Sequence, residues 1–343
     1  MVTTPEPDFR PFLKSLLDGQ KLSPADVDGF LTALVSGPFD ETAAGAVLTA
    51  WRMRGEAGDE IAQAVRTLRR FQRPLSTAGG PLLDTCGTGG DESGTFNIST
   101  AVSLVVAGCG VRVVKHGNRA VSSRSGSADV LQELGVPITA GPAWAEAAFV
   151  RCGYAFCFAP LFHPALAKVA PLRKKLGVRT VFNLLGPLLN PAGARHHLLG
   201  VGIPALLDTL AEALRDLECE RAILVSGADR LDEVTLSGPT NVRVVANGQV
   251  TKVVWRPADF DLAPVALSEI QAADAAESAA VIGRVLAGEP GPAERIVAAN
   301  AAAALLTVDA VKTLPEGVAV AREAIRSGRA LGVLRQLQTP VPF

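Results

Sequence analysis

Asp84-Thr85-Cys86-Gly87-Thr88-Gly89-Gly90-Asp91 follows the short apolar run Pro81-Leu82-Leu83 and precedes Gly94-Thr95-Phe96-Asn97-Ile98-Ser99-Thr100, which opens a helix. A glycine-dense turn lets backbone N–H groups close on an anion, and the helix start adds free donors and a favourable dipole. These residues suit the holding of a diphosphate, with Asp91 and the hydroxyls beside it; a tight connection whose glycines only satisfy backbone geometry is the competing reading. A second anion-friendly segment, Lys115-His116-Gly117-Asn118-Arg119, ends the apolar run from Val111 to Val114 and leads into Ser122, Ser123, Ser125 and Ser127. Taken singly, Lys115 and Arg119 read as solvated charges and His116 as a structural hydrogen-bonder. Arg173-Lys174-Lys175 is either a helix C-terminus favoured by the macrodipole or a grip for a carboxylate. Asp232-Glu233 places adjacent hard oxygens beyond the run from Ala222 to Val225, a donor pair for Mg²⁺ shared with a diphosphate, although such a pair on a loop is usually solvated.

The elements that must position these groups follow from periodicity. Phe9, Phe12, Leu13, Leu16 and Leu17 keep helical spacing up to a stop at Gly19, and Ser23 with Pro24 begins a second helix that buries Val27, Phe30, Leu31 and Leu34. Two more helices are expected at 41–54 and 59–71, the latter capped by Asp59. Beyond Pro81, apolar runs at 111–114, 155–158, 197–201 and 222–225 alternate with helical stretches at 127–134, 143–151 and 205–217. This is the pattern of a mostly parallel sheet covered by helices on both faces. Asn247-Gly248 splits two strand-like runs, 241–245 and 250–255, into a hairpin, the one clear antiparallel element. The Ala- and Leu-rich tail from Leu267 reads as helices packed on the sheet. Ligands of open α/β sheets sit beyond the carboxyl ends of the strands, which brings the first two loops together there.

At 343 residues the chain exceeds the size at which one core usually stops growing, so two lobes are expected. Lys and Arg (33) balance Asp and Glu (34), which leaves no global field toward nucleic acid or a membrane and makes any anion site local. Met1 to Glu6 carry neither a basic nor an apolar leader region, so a cytoplasmic location is expected. Five cysteines without a CxxC pair suit reduced thiols, with Cys86, beside the glycine-rich loop, the candidate for partial reactivity.

In order and spacing, the motifs at 84–91, 97–100, 115–123, 126–131, 179–191 and 232–233 resemble those of the anthranilate phosphoribosyltransferase family, over most of the chain. The resemblance implies a type III, nucleoside phosphorylase-like α/β fold. A helical domain over residues 1–75, completed by 163–178 and used for homodimerisation, would be hinged to an α/β domain over 80–343. The implied reaction moves the phosphoribosyl group of phosphoribosyl pyrophosphate (PRPP) to the amino group of anthranilate, in tryptophan synthesis.

The family pattern puts PRPP at Gly87, Gly90, Asp91, Thr95, Asn97, Ile98, Ser99, Thr100, Lys115, His116, Gly117, Asn118, Arg119, Ser122, Ser123 and Ser127. It puts anthranilate at Gly87, Asn118 and Arg173, and Mg²⁺ at Ser99, Asp232 and Glu233. Catalysis would be electrostatic, through Lys115 and Asp91, without a covalent nucleophile. A pyrimidine-nucleoside phosphorylase-like enzyme and a non-catalytic nucleic-acid-binding relative share the architecture and are the rival readings. Two positions depart from the family: Glu92-Ser93 and Arg230-Leu231 stand where glycine is frequent.

Overall fold

The computed structural model describes residues 7–77, 79–120 and 125–339. Four helices come first: α1 (Arg10–Leu17), α2 (Pro24–Ser36), α3 (Glu41–Arg54) and α4 (Gly58–Arg69). Ser23 caps α2 by accepting the Asp26 N–H, while the Asp26 carboxylate accepts the Ser23 N–H. Asp40 caps α3 by accepting from Thr42 and Ala43. Asp59 does not cap α4, contrary to the sequence expectation; the cap is Ala57, whose N–H donates to Glu60 Oε2 at 2.9 Å. The reason is tertiary. Glu60 is buried, accepts from the Leu22 N–H (2.8 Å) and Trp51 Nε1 (3.2 Å), and pairs with Arg54, so one carboxylate ties three helical segments together.

The chain continues through β1 (Leu83–Gly87), α5 (Ile98–Gly108), β2 (Val113–Gly117), α6 (Ser127–Glu133), α7 (Pro142–Cys152) and β3 (Tyr154–Phe158). Short helices α8 (Ala159–Phe162), α9 (Ala170–Leu176) and α10 (Phe182–Leu185) then lead to β4 (His196–Gly200), α11 (Leu207–Asp216), β5 (Arg221–Gly227), β6 (Thr240–Ala246) and β7 (Gln249–Trp255). The tail forms α12 (Ala275–Leu286), α13 (Pro292–Thr307), α14 (Leu314–Arg326) and α15 (Arg329–Gln338).

The seven strands lie in the order β3-β2-β1-β4-β5-β6-β7. The first five are parallel. β6 runs antiparallel to β5 as well as to β7, so the antiparallel part exceeds the expected hairpin. β2 starts two residues later than its apolar run because the Val111 N–H is used to close the end of α5, on Val106 O, leaving Val113 to begin the pairing with β3. The helix expected from Ala205 opens as a 3₁₀ turn at Pro204–Leu206 before α11. Asn247 and Gly248 take the left-handed turn conformation, at φ +52° and +71°.

One core packs α5, α13 and α15 on one face of the sheet, and a second joins α1–α4 to Val169, Leu172, Leu199, Val201 and Leu224 on the other. Among the described residues no helix is long and apolar enough to cross a membrane. β1 hands the chain to β2 on one side while its other neighbour, β4, hands it to β5. The crevice of such a sheet opens where the connections diverge, between the carboxyl ends of β1 and β4.

Candidate active site

Gly87 and Gly200 end β1 and β4 and face each other in register. A Cβ on Gly200 would lie 1.6 Å from the Asp232 main-chain oxygen, and one on Gly87 would lie 2.6 Å from Asp232 Oδ2. Both glycines therefore make room for Asp232, which arrives on the loop after β5. The two loops are laced across the crevice: the Thr88 N–H donates to Gly200 O (2.8 Å) and the Gly202 N–H to Thr88 Oγ1 (3.1 Å).

The loop at 88–97 is built on left-handed backbone at Gly89, Gly90, Glu92 and Gly94. Its first half hangs on Asp232, whose Oδ2 accepts the Gly89 N–H at 2.9 Å. Its second half is stitched to α12 and the segment before it: the Phe96 N–H reaches Ile270 O, the Ala272 N–H reaches Gly94 O, and the Asn97 N–H reaches Ser278 Oγ (2.8 Å). Asn97 Oδ1 accepts the Thr100 N–H and caps α5. Both family departures sit on strained backbone, Glu92 at φ +58° and Arg230 at φ +71°, which is the reason glycine is favoured there. Arg230→Gly is accordingly expected to stabilise the protein by about 1 kcal/mol, read as a higher urea midpoint; an unchanged midpoint would show that contacts of the Arg230 side chain offset the strain.

Lys115, in the middle of β2, is fully buried; its ammonium donates to Thr85 O and, at 3.1 Å, to Ser99 Oγ. Burial pulls its pKa down, against the acids around it: Asp84, Glu233 and Asp232. Glu233 accepts the Ser99 N–H, and burial followed by the neighbouring Asp232 pushes its carboxyl well above the usual range. Asp232 is raised to about 7 by burial and by Asp91, and Asp84 to about 6 by burial. Asp91, Asp232 and Glu233 thus crowd one crevice opposite a single buried lysine. A divalent cation fits this excess of hard, mutually repelling oxygens. No group of three or more His, Cys, Asp or Glu among the described residues is arranged to hold a metal.

The other sequence candidates divide. Ser99, Thr95, Asn97 and Thr100 gather at the start of α5, where Thr100 Oγ1 is buried without a partner; Ile98 is buried and offers that end only its backbone. Ser127 packs against Gly117, where a Cβ would lie 2.2 Å from its Oγ. Asn118 is exposed, its Oδ1 accepting the Arg119 N–H. Arg119 is committed elsewhere, to Asp129 (2.8 Å) and Gln132 (2.7 Å) and over the Phe158 ring. Ser122 and Ser123 lie outside the described residues. Cys86 is buried, and burial raises its thiol well above the usual value, so the partial reactivity expected from its position is not what the structure shows.

His116 turns away from the glycine-rich loop: Nδ1 donates to Gly186 O at 2.9 Å, and the ring meets that of His163 edge-on at 4.8 Å. His163 was visible in the sequence only as the start of a segment. Both Nε2 atoms are buried and unpartnered. Burial lowers His116 to about 3 and His163 to about 4. Asp84 and Asn190 fix this corner, since Asn190 Nδ2 donates to Asp84 Oδ2 and to Val114 O (both 2.7 Å), and Asp84 Oδ1 accepts the His116 N–H. Neither stood out from its motif in the sequence. A histidine whose folded pKa is depressed contributes stability that is present above its unfolded pKa, near 6.5, and lost as pH falls through the folded value. The urea midpoint of His163→Phe should therefore fall less than that of the unaltered protein between pH 6.5 and 4, by the equivalent of about 3 kcal/mol; parallel decline would remove the depressed pKa.

Arg173, on α9, is half-buried with its guanidinium 5.5 Å above the Phe182 ring, and desolvation lowers its pKa. A desolvated cation stacked on an aromatic face is a seat for a planar carboxylate.

A glycine-rich loop at the switch point, an acid cluster and a buried lysine lie beside a helical bundle, the helical-plus-α/β arrangement of a glycosyl transferase. Residues 10–71 match the helical bundle domain of the glycosyl transferase family and 79–331 its a/b domain. An anthranilate phosphoribosyltransferase of Desulfatibacillum aliphaticivorans is 42% identical over 96% of this chain and 97% of its own. The crystal structure of the Thermus thermophilus anthranilate phosphoribosyltransferase superposes with a TM-score of 0.89 at 42% identity, over 95% of this chain and 98% of that one. That of the Saccharomyces cerevisiae enzyme, in complex with PRPP and Mg, gives 0.88 at 28% identity over 96% of each chain, and the same yeast enzyme has been solved with 4-fluoroanthranilate. The chain belongs to the anthranilate phosphoribosyltransferase family.

Proposed function

We propose that the chain transfers the 5-phosphoribosyl group of PRPP to the amino nitrogen of anthranilate, releasing diphosphate, as a step of cytoplasmic tryptophan synthesis. The observation that carries this reading is the juxtaposition of Lys115, Ser99, Asp232 and Glu233 with the left-handed glycine-rich loop at the sheet's switch point. Net charge of −1 and an acid-crowded crevice oppose the nucleic-acid alternative.

In this reading Ser99, Asp232 and Glu233 hold Mg²⁺, which when bound supplies positive charge against the diphosphate. The loop from Gly87 to Thr95 and the start of α5 bind the phosphates through backbone donors and hydroxyls. Lys115 keeps a fixed positive charge beneath the leaving group, where charge develops as the anomeric C–O bond breaks. No protein nucleophile takes part; the aniline nitrogen carries a free lone pair at neutral pH and needs orientation more than a base. Arg173 holds the anthranilate carboxylate, with Asn118 and Gly87 alongside.

The bundle and residues 163–178 act as one lobe that closes on the crevice to exclude water. Lys168 Nζ donates to Ser36 O (2.8 Å), and Lys175 pairs with Glu41. A homodimer through this lobe belongs to the same reading; among the described residues Leu17, Met53 and Val178 are its exposed large apolar side chains. Anthranilate fluorescence should fall only when protein, PRPP and Mg²⁺ are all present, and no loss under any condition would overturn the proposal.

A further inference from the structure

We infer that Arg179 is a positioning residue that couples the glycine-rich loop to the helical bundle, so that the shape of the diphosphate site depends on where the bundle sits. On one side, Arg179 Nη2 donates to Gly90 O at 3.2 Å. A Cβ on Gly90, whose φ is +73°, would lie 1.5 Å from that same nitrogen, so any side chain there would push the guanidinium out of the space it fills. On the other side, Arg179 lines a small cavity with Arg52 and Glu56 of the bundle and with Thr180, Asn183 and Ile203. At ≈ 10 Å³ the cavity holds no substrate.

What the cavity does hold is unsatisfied polarity. Glu56 Oε1 and Thr180 Oγ1 are buried without partners, and the rest of what the Glu56 carboxylate has is its own backbone N–H and a 3.5 Å contact from Arg52 to the other oxygen. A side chain of 1% exposure with an unpartnered carboxylate oxygen, lining the same cavity as a guanidinium, is a contact waiting to be made. Movement of the bundle toward the sheet offers Arg179 an anionic partner, and because the guanidinium also grips Gly90, the movement reaches Asp91 and the loop. Arg179 touches no substrate; it acts through Gly90.

The kinetic consequence rests on the transfer reaction proposed above, whereas the structural one does not. Hydrogen exchange of peptides covering 88–97 is compared in the unaltered protein, Arg179→Met, Arg179→Lys and Gly90→Ala, with KM for both substrates measured in parallel and thermal melts as the folding control. Arg179→Met should speed exchange of the loop at least threefold and raise KM for PRPP about tenfold, with KM for anthranilate within twofold. Arg179→Lys, which keeps a donor for Gly90 O, should recover most of both. Gly90→Ala should speed exchange by itself, and adding Arg179→Met to it should change little, because the contact is already broken. Glu56→Gln, which weakens the cavity's pull, should speed loop exchange in the same direction. Loop exchange in Arg179→Met equal to that of the unaltered protein, full additivity with Gly90→Ala, or equal rises in both KM values would overturn the inference. An unaltered protein without turnover would sink the transferase reading, and the exchange data would still decide the coupling.

Discussion

Asp232→Asn combined with Glu233→Gln is expected to lower turnover by roughly 10³-fold while making the metal-free protein more stable at pH 8. Both effects have one cause. The two carboxylates are buried beside Asp91, and both are pushed upward first by loss of water, Asp232 to about 7 with the Asp91 charge next, and Glu233 with the Asp232 charge next. A raised folded pKa means that the stability contribution is fully present below the unfolded value, 3.8 for Asp232, and is lost as pH rises through about 7. At pH 8 the ionised pair therefore costs a few kcal/mol, which the neutral amides avoid, and near pH 4 the difference should disappear. Mg²⁺ should reverse the order at pH 8, because it stabilises only the protein whose carboxylates bind it. Urea midpoints at pH 8 and 4, with and without Mg²⁺, give the four values needed. A double variant that is less stable at both pH values, or a magnesium shift equal in both proteins, would remove the pair from the metal site.

The strands, the loop after β1 and the position of Lys115 were legible in the sequence because each depends on local rules: apolar runs ended by glycine, Asn-Gly at a turn, Ser-Pro at a helix start. What escaped is decided by contacts between distant residues. Glu60 displaces Asp59 as the organiser of the α4 terminus because Leu22, Trp51 and Arg54 converge on it. Arg119 looks like a phosphate ligand in its motif, yet Asp129 and Gln132, ten and thirteen residues on, occupy it once α6 folds back. His163 belongs to no charged or glycine-rich motif, and only the fold sets its ring against His116. The strain at Glu92 and Arg230, by contrast, was legible as missing glycine, and the structure supplies its physical meaning in their left-handed φ.

Arg173→Ala is expected to raise KM for anthranilate about a hundredfold while KM for PRPP changes less than threefold. The size follows from the contact it removes. A bidentate, charge-assisted guanidinium–carboxylate pair in a desolvated site contributes about 3 kcal/mol, and a hundredfold change corresponds to about that energy. The site is desolvated enough for the figure to apply, since burial depresses the Arg173 pKa and one face of the guanidinium is covered by Phe182 at 5.5 Å. Lysine should not rescue, because a point charge on a flexible stem restores neither the fork nor the stacking.

The split between substrates is the informative part. Arg173 stands on α9, in the segment that packs with the bundle, whereas the diphosphate loop stands on β1 and α5. A residue that merely propped the lobe closed would disturb both substrates together, and one that acted on the loop would disturb PRPP instead. An analogue lacking the carboxylate adds a second reading: if Arg173 grips that group, aniline should be used no better by the unaltered protein than by Arg173→Ala, and a preference of the unaltered protein for aniline would place the arginine's effect elsewhere.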